Sequence, residues 1–94
     1  MTRKEELNEV FEAAIKNEDD YIAIAVETHG NPEWEIIINP IENYEQKLAY
    51  YQNAYNDDLV LNTYDGIRIA SMCSFNGSVD LETVNEILMD YEFL

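Results

Sequence analysis

Cysteine, histidine, glycine and positive charge are all scarce in this chain of 94 residues, and each scarcity excludes something. Cys73 is the only cysteine, so no intramolecular disulfide can form, which fits a reducing compartment. The only histidine, His29, sits in the turn cluster His29-Gly30-Asn31-Pro32. There it reads as a solvated loop residue, and no Ser-His-Asp arrangement can be built around it. The glycines Gly30, Gly66 and Gly77 are scattered through turns, so no phosphate-cradling loop exists. No apolar run approaches the length of a membrane span. Arg3-Lys4-Glu5-Glu6 is followed by no apolar signal region, and the expectation is a cytoplasmic protein that needs no processing.

Metal chemistry is equally thin. Asp57, Asp58 and Asp65 flank one turn, and Glu18, Asp19 and Asp20 follow a helix. Neither group has the calcium-loop spacing with its central glycine and terminal glutamate. Cys73 falls inside an expected strand, where a thiol behaves as a small buried hydrophobe. The sequence therefore predicts no catalytic residues, no metal site, no cofactor and no enzyme.

What is present is acid. Twenty Asp and Glu face five Lys and Arg, for a formal net charge of −15. Small soluble domains usually carry a net charge of magnitude about 2–8. Such a surface argues against direct contact with nucleic acid or an anionic membrane, and favours basic partners. Hydrophobic residues still make up 47% of the chain, too many for a disordered acidic tail. One domain over residues 1–94 is expected, with roughly two-thirds of its unfolded surface buried.

Periodicity predicts the elements. Thr2 and Glu5 have capping-box spacing, and Leu7, Val10, Phe11 and Ala14 make the apolar stripe of a helix over 3–17. Residues 20–28 and 33–39 read as a β-hairpin, with Ile22, Ile24 and Val26 on one face and Tyr21, Ala23 and Ala25 on the other. The small second face suits a closely packed helix. Trp34, Ile36 and Ile38 share a face of the second strand, which Pro40 ends. Asn43 and Gln46 suggest another capping box before a helix over 44–56, with Tyr44, Tyr51 and Tyr55 in the core. Residues 59–61 and 67–75 read as a second hairpin. Asp80 is the expected N-cap of a last helix over 81–92, stapled by Val79 and Val84. The fold class is α+β, in the order α-β-β-α-β-β-α, with a mostly antiparallel sheet of about four strands covered by helices.

The acids form ladders. Glu5, Glu9 and Glu12 recur along the first helix, away from its apolar stripe, and Glu82, Glu86 and Asp90 along the last. Four residues advance a helix by roughly 6 Å, close to the spacing of successive phosphates on one nucleic-acid strand. Like charges at this spacing each cost a helix roughly 0.2–0.5 kcal/mol, and anions near a helix C-terminus oppose its dipole. From Ile69 to Leu94 there are five acids and no base. A local rule broken repeatedly marks a candidate functional surface. Tyr50, off the core stripe of its helix, is a candidate anchor against an arginine-rich surface.

The composition and layout, together with the stretch Tyr44-Glu45-Gln46-Lys47-Leu48-Ala49-Tyr50-Tyr51-Gln52-Asn53-Ala54-Tyr55-Asn56-Asp57-Asp58-Leu59-Val60-Leu61, resemble small acidic proteins of bacterial viruses and mobile elements. Proteins of that type include DNA mimics: anti-CRISPR proteins, inhibitors of uracil-DNA glycosylase and anti-restriction proteins. The resemblance implies a non-catalytic inhibitor acting inside a bacterial host cell. Its phosphate-like surface would meet a basic, nucleic-acid-binding enzyme. The candidate partner-binding residues Glu5, Glu9, Glu12, Glu82, Glu86, Asp90 and Tyr50 rest on the ladder argument. The alternatives are a small structural or adaptor protein docking through an apolar patch, and a weak enzyme or ion-binding protein. A homodimer is compatible with each.

Overall fold

β-Branched and small residues alternate from Tyr21 to Thr28, and this segment becomes the central strand, β1, of a three-stranded antiparallel sheet in the computed structural model, which describes residues 2–92. β2 (Glu35–Pro40) and β3 (Ile67–Phe75) flank it in the order β2-β1-β3. β2 starts two residues later than expected because the Asn31 side chain accepts the Glu33 N–H at 3.0 Å and holds the loop in an Asx turn. Gly30 supplies the positive φ of 87° in that loop.

Helices cover both faces, as the alternation of large and small residues in β1 requires. α1 (Arg3–Lys16) and α2 (Tyr44–Ala54) pack on the face carrying Ile22, Ile24 and Val26. α3 (Leu81–Asp90) packs on the face carrying Ala23 and Ala25. The first core holds Leu7, Phe11, Tyr44, Tyr51, Tyr55 and Leu59, with Phe11 edge-on to Tyr44 at a centroid distance of 5.7 Å. Its one buried polar side chain from the sheet, Asn39, donates to the Ile22 carbonyl at 3.2 Å and accepts from the Tyr51 hydroxyl at 3.5 Å. Burial pushes the Tyr44 and Tyr55 hydroxyls up to about 12, with Asp19 and Asp20 adding to the shift at Tyr44 and Tyr50 and Tyr51 at Tyr55.

The expected fourth strand is absent from the sheet. Residues 59–61 make only single bridges, Tyr55 to Leu61 and Val60 to Arg68. The cause is Asn56, whose Oδ1 accepts the Asp58 N–H at 2.9 Å and the Val60 N–H at 3.0 Å. Leu59 is turned into the left-handed region, φ 60°, and its side chain is buried in the core. Residues 59–61 still turn back onto β3, with the Leu61 N–H on the Ile67 carbonyl and the Ile69 N–H on the Leu59 carbonyl, both at 2.9 Å, but the pairing is too short to make a strand, so the element order is α-β-β-α-β-α.

The caps are divided. Thr2 Oγ1 accepts the Glu5 N–H at 3.1 Å, and Asp80 accepts the Thr83 N–H at 2.8 Å, both as expected. Asn43 makes no side-chain cap, because Ile41–Asn43 is a 3-10 turn that feeds directly into α2. α2 also stops two residues early: Tyr55 is extended, at φ −117° and ψ 148°, to bridge Leu61. β3 carries one irregularity, where Ser71 pairs with Ala25 but Ile69 with Val26, leaving Ala70 as the extra residue.

Candidate interaction surfaces

α3 is an amphipathic helix seated by two residues. Val84 and Leu88 are buried against Ala23 and Ala25, and the buried Ser71 hydroxyl donates to the Leu88 carbonyl at 2.6 Å. With that seat fixed, helical periodicity turns Glu82, Glu86 and Asp90 outward, and each is exposed. No Lys or Arg occurs on the helix. Asp80 extends the acidic line at the N-terminus, and the Thr83 N–H holds its carboxyl below the usual carboxylate range.

α1 presents its own ladder differently. Leu7, Phe11 and Ala14 are buried, and Glu5, Glu9 and Glu12 are exposed on the outer side. This ladder runs into Lys16, one turn beyond Glu12. Lys4, at the other end of the helix, reaches across to the Gln52 carbonyl at 2.7 Å. The two helices that carry the ladders pack on opposite faces of the sheet.

Tyr50 joins neither ladder. Gln52, two residues on, faces α1 through its bond to Asn8, and two residues rotate a helix by about 200°, so Tyr50 lies on the far flank of α2. It is 53% exposed, with its ring against Tyr51 at 5.3 Å.

A further feature is a groove of about 600 Å³ beside α3. α3 lies over β3 and β1, and a helix about 10–12 Å across cannot also roof a third strand. The α3-side residues of β2 and its loop, Trp34, Ile36 and Ile38, stay half-buried. Trp34 and Ile36 form the apolar floor, and Asn85 and Met89 of α3 form one wall. Pro32 and three acids, Glu27, Glu33 and Glu92, complete the lining. Glu27 is also ion-paired to Arg68, its cross-strand neighbour. The available signal was a count: two of three helices are needed to cover the large-residue face, so one is left for the face holding Trp34.

A smaller groove of about 350 Å³ follows the outer edge of β3 at Met72–Ser74, between Val10 and Ala13 of α1 and, on the other side, Ile87 of α3 and Tyr91 just after it. Cys73 lies in this strand, buried, with its thiol pushed up to about 11 by burial.

The acids after α1 are occupied by the fold. Asp19 Oδ2 accepts the Ser74 hydroxyl at 2.8 Å, and Asp20 Oδ2 accepts the Gly77 N–H at 2.8 Å. His29 is exposed beside Asp65 and Arg68 in a shallow hollow. Among the described residues, no three His, Cys, Asp or Glu side chains converge as a metal ion requires, and no helix is long and apolar enough to cross a membrane. No protein-family model matches the chain, and no curated protein or solved structure is significantly similar to it.

Proposed function

We propose that this is a non-catalytic binding protein that lays the acidic face of α3 into a basic, nucleic-acid-binding surface of a partner protein. The observation that carries this reading is the α3 ladder: Glu82, Glu86 and Asp90 are exposed, in register along one face, with no cation on the helix. Phosphate contacts supply most non-specific nucleic-acid affinity through Lys and Arg. A rigid row of carboxylates at about 6 Å spacing competes for the same cations. The α1 ladder is the weaker surface because Lys16 closes it. The phage-type DNA mimics that the composition resembles work by this principle, in the cytoplasm of a bacterial host.

The test is capture from a bacterial lysate, washed at low and high salt and challenged with DNA. The expected result is a nucleic-acid enzyme released by salt and displaced by DNA. The triple variant E82Q/E86Q/D90N loses that capture, whereas E5Q/E9Q/E12Q retains it. Equal capture by all three proteins sinks the proposal. The exposed Leu81, Met89 and Tyr91 favour a second reading, an adaptor docking through apolar contacts. Capture that survives high salt is its signature.

A further inference from the structure

We propose that the groove beside α3 is a socket for an arginine side chain carried on a basic segment of the partner. This rests on the reading of α3 as the partner-binding helix, and names the residue chemistry that the helix selects. The floor is Trp34, half-buried and lying on the sheet face that α3 leaves open. Tryptophan is the strongest cation–π partner among the side chains. The rim is Glu33, Glu92 and Glu27. A purely apolar anchor entering here would strip water from those carboxylates without replacing it. A guanidinium satisfies both parts at once. It is planar and weakly hydrated, stacks on aromatic rings and bonds carboxylates with a fork of N–H donors. A lysine ammonium is compact and strongly hydrated, and fits the aromatic floor less well.

Arg68 pairs its guanidinium with Glu27, one of the residues lining the groove, so this chain itself joins an arginine to that carboxylate. Asn85 and Met89, which wall the groove, precede Glu86 and Asp90 of the ladder in sequence. An arginine seated over Trp34 therefore places its neighbouring basic residues along the ladder. The volume, about 600 Å³, accommodates one long side chain and the backbone that carries it.

Trp34 is the only tryptophan, so its emission reports on the groove alone. The experiment titrates the protein at low salt with a short blocked basic peptide carrying a central arginine. The same peptide with citrulline or lysine at that position, labelled for anisotropy, completes the set. The expected result is a saturable change in Trp34 emission with the arginine peptide. Citrulline weakens binding about tenfold, and lysine by less. The double variant E33Q/E92Q, at two exposed positions that carry no core packing, weakens the arginine peptide about tenfold and removes its preference over citrulline. Anisotropy that shows binding without any emission change, or equal affinity for arginine and citrulline, overturns the socket and leaves the acidic-face reading standing. Conversely, a socket that discriminates arginine in a protein whose E82Q/E86Q/D90N variant still captures its partner overturns the ladder reading and keeps the socket. Absence of binding by either measure overturns the socket.

Discussion

The two faces of the sheet solve the same burial problem with different materials. The α1–α2 face uses large side chains: Phe11, Tyr44, Tyr51 and Tyr55 interlock with Ile22, Ile24 and Leu59, and two helices close over them. The α3 face uses small ones: Ala23 and Ala25 let α3 settle onto the sheet through Val84 and Leu88. One helix leaves a strand's width unroofed. The first face holds the fold together. The second holds less apolar mass and keeps Leu81, Met89 and Tyr91 exposed, at 65%, 68% and 65%. A surface with few duties to the core can be given a binding function without disturbing the packing.

The sharpest way to break this comparison is a matched pair of truncations. Phe11→Ala, fully buried in the tyrosine-rich core, is expected to cost about 3–5 kcal/mol, enough to threaten folding at this size. Met89→Ser on α3 is expected to stay within about 0.5 kcal/mol of the parent. Denaturant titration reads both. A large loss at Met89 would mean that α3 is held by more than its Val84–Leu88 seat.

Alkaline titration probes the tyrosine-rich core. Tyr44 and Tyr55 carry hydroxyls raised to about 12 by burial, against about 10 in an unfolded chain. The folded state therefore holds these protons more tightly. Their contribution to stability is complete below about pH 10 and is lost as pH rises towards 12. Far-UV circular dichroism should fall in that window together with a rise in tyrosinate absorbance. Tyrosinate formation complete by about pH 10, with the fold intact, would contradict the packing described.

The small face is tested by overfilling it. Ala23 is fully buried beneath α3, and Ala23→Leu is expected to cost about 1–3 kcal/mol. The same substitution lifts α3 and shifts Trp34 emission towards that of a solvated indole. A stable variant with unchanged emission would show slack under the helix.

A smaller gain is available at the end of α1. Glu18 occupies the left-handed cap position, φ 57°. The Glu18 N–H reaches the Ile15 carbonyl at 3.2 Å and the Asp19 N–H the Ala14 carbonyl at 2.9 Å. This is the helix stop that glycine favours. Glu18→Gly is expected to stabilise the protein by about 1 kcal/mol, since it removes the side-chain strain of that conformation. A melting temperature that falls instead would mean the Glu18 carboxylate has a role the geometry does not reveal.

How much of this was legible in the sequence follows from the range of each interaction. The stripes Leu7–Phe11–Ala14 and Ala23–Ala25, and the caps Thr2 and Asp80, are local patterns, and they stand as read. The errors in the strands fall where one side chain redirected the backbone. Asn56 captured two amides and left residues 59–61 with only a short bridge to β3. Asn31 shortened β2 from within its own turn. In both places β propensity lost to an Asx hydrogen bond of local range but low sequence signal. The ladders were legible as faces of helices. That their helices pack on opposite faces of the sheet, and that one of them borders a groove, depends on which helix covers which face. Periodicity within an element does not encode that pairing.

The smallest expected effect is the most informative about why α3 is built as it is. Glu82 to Glu86 and Glu86 to Asp90 are like-charge pairs at i, i+4, each costing roughly 0.2–0.5 kcal/mol, and Asp90 sits at the helix end where the dipole disfavours an anion. Glu82 lies in the first turn, where the dipole favours an anion, so it is the pair variant E86Q/D90N that should raise stability slightly, while E82Q/E86Q/D90N removes partner capture. Opposite signs in the two measurements, melting temperature up and binding down, are what a surface kept for binding at the expense of the fold must show. Solvated charges without a partner would give the rise in stability with no change in binding to accompany it. If stability falls instead, the carboxylates are supporting α3 through contacts other than those described, and the ladder loses its claim to be a surface free for a partner.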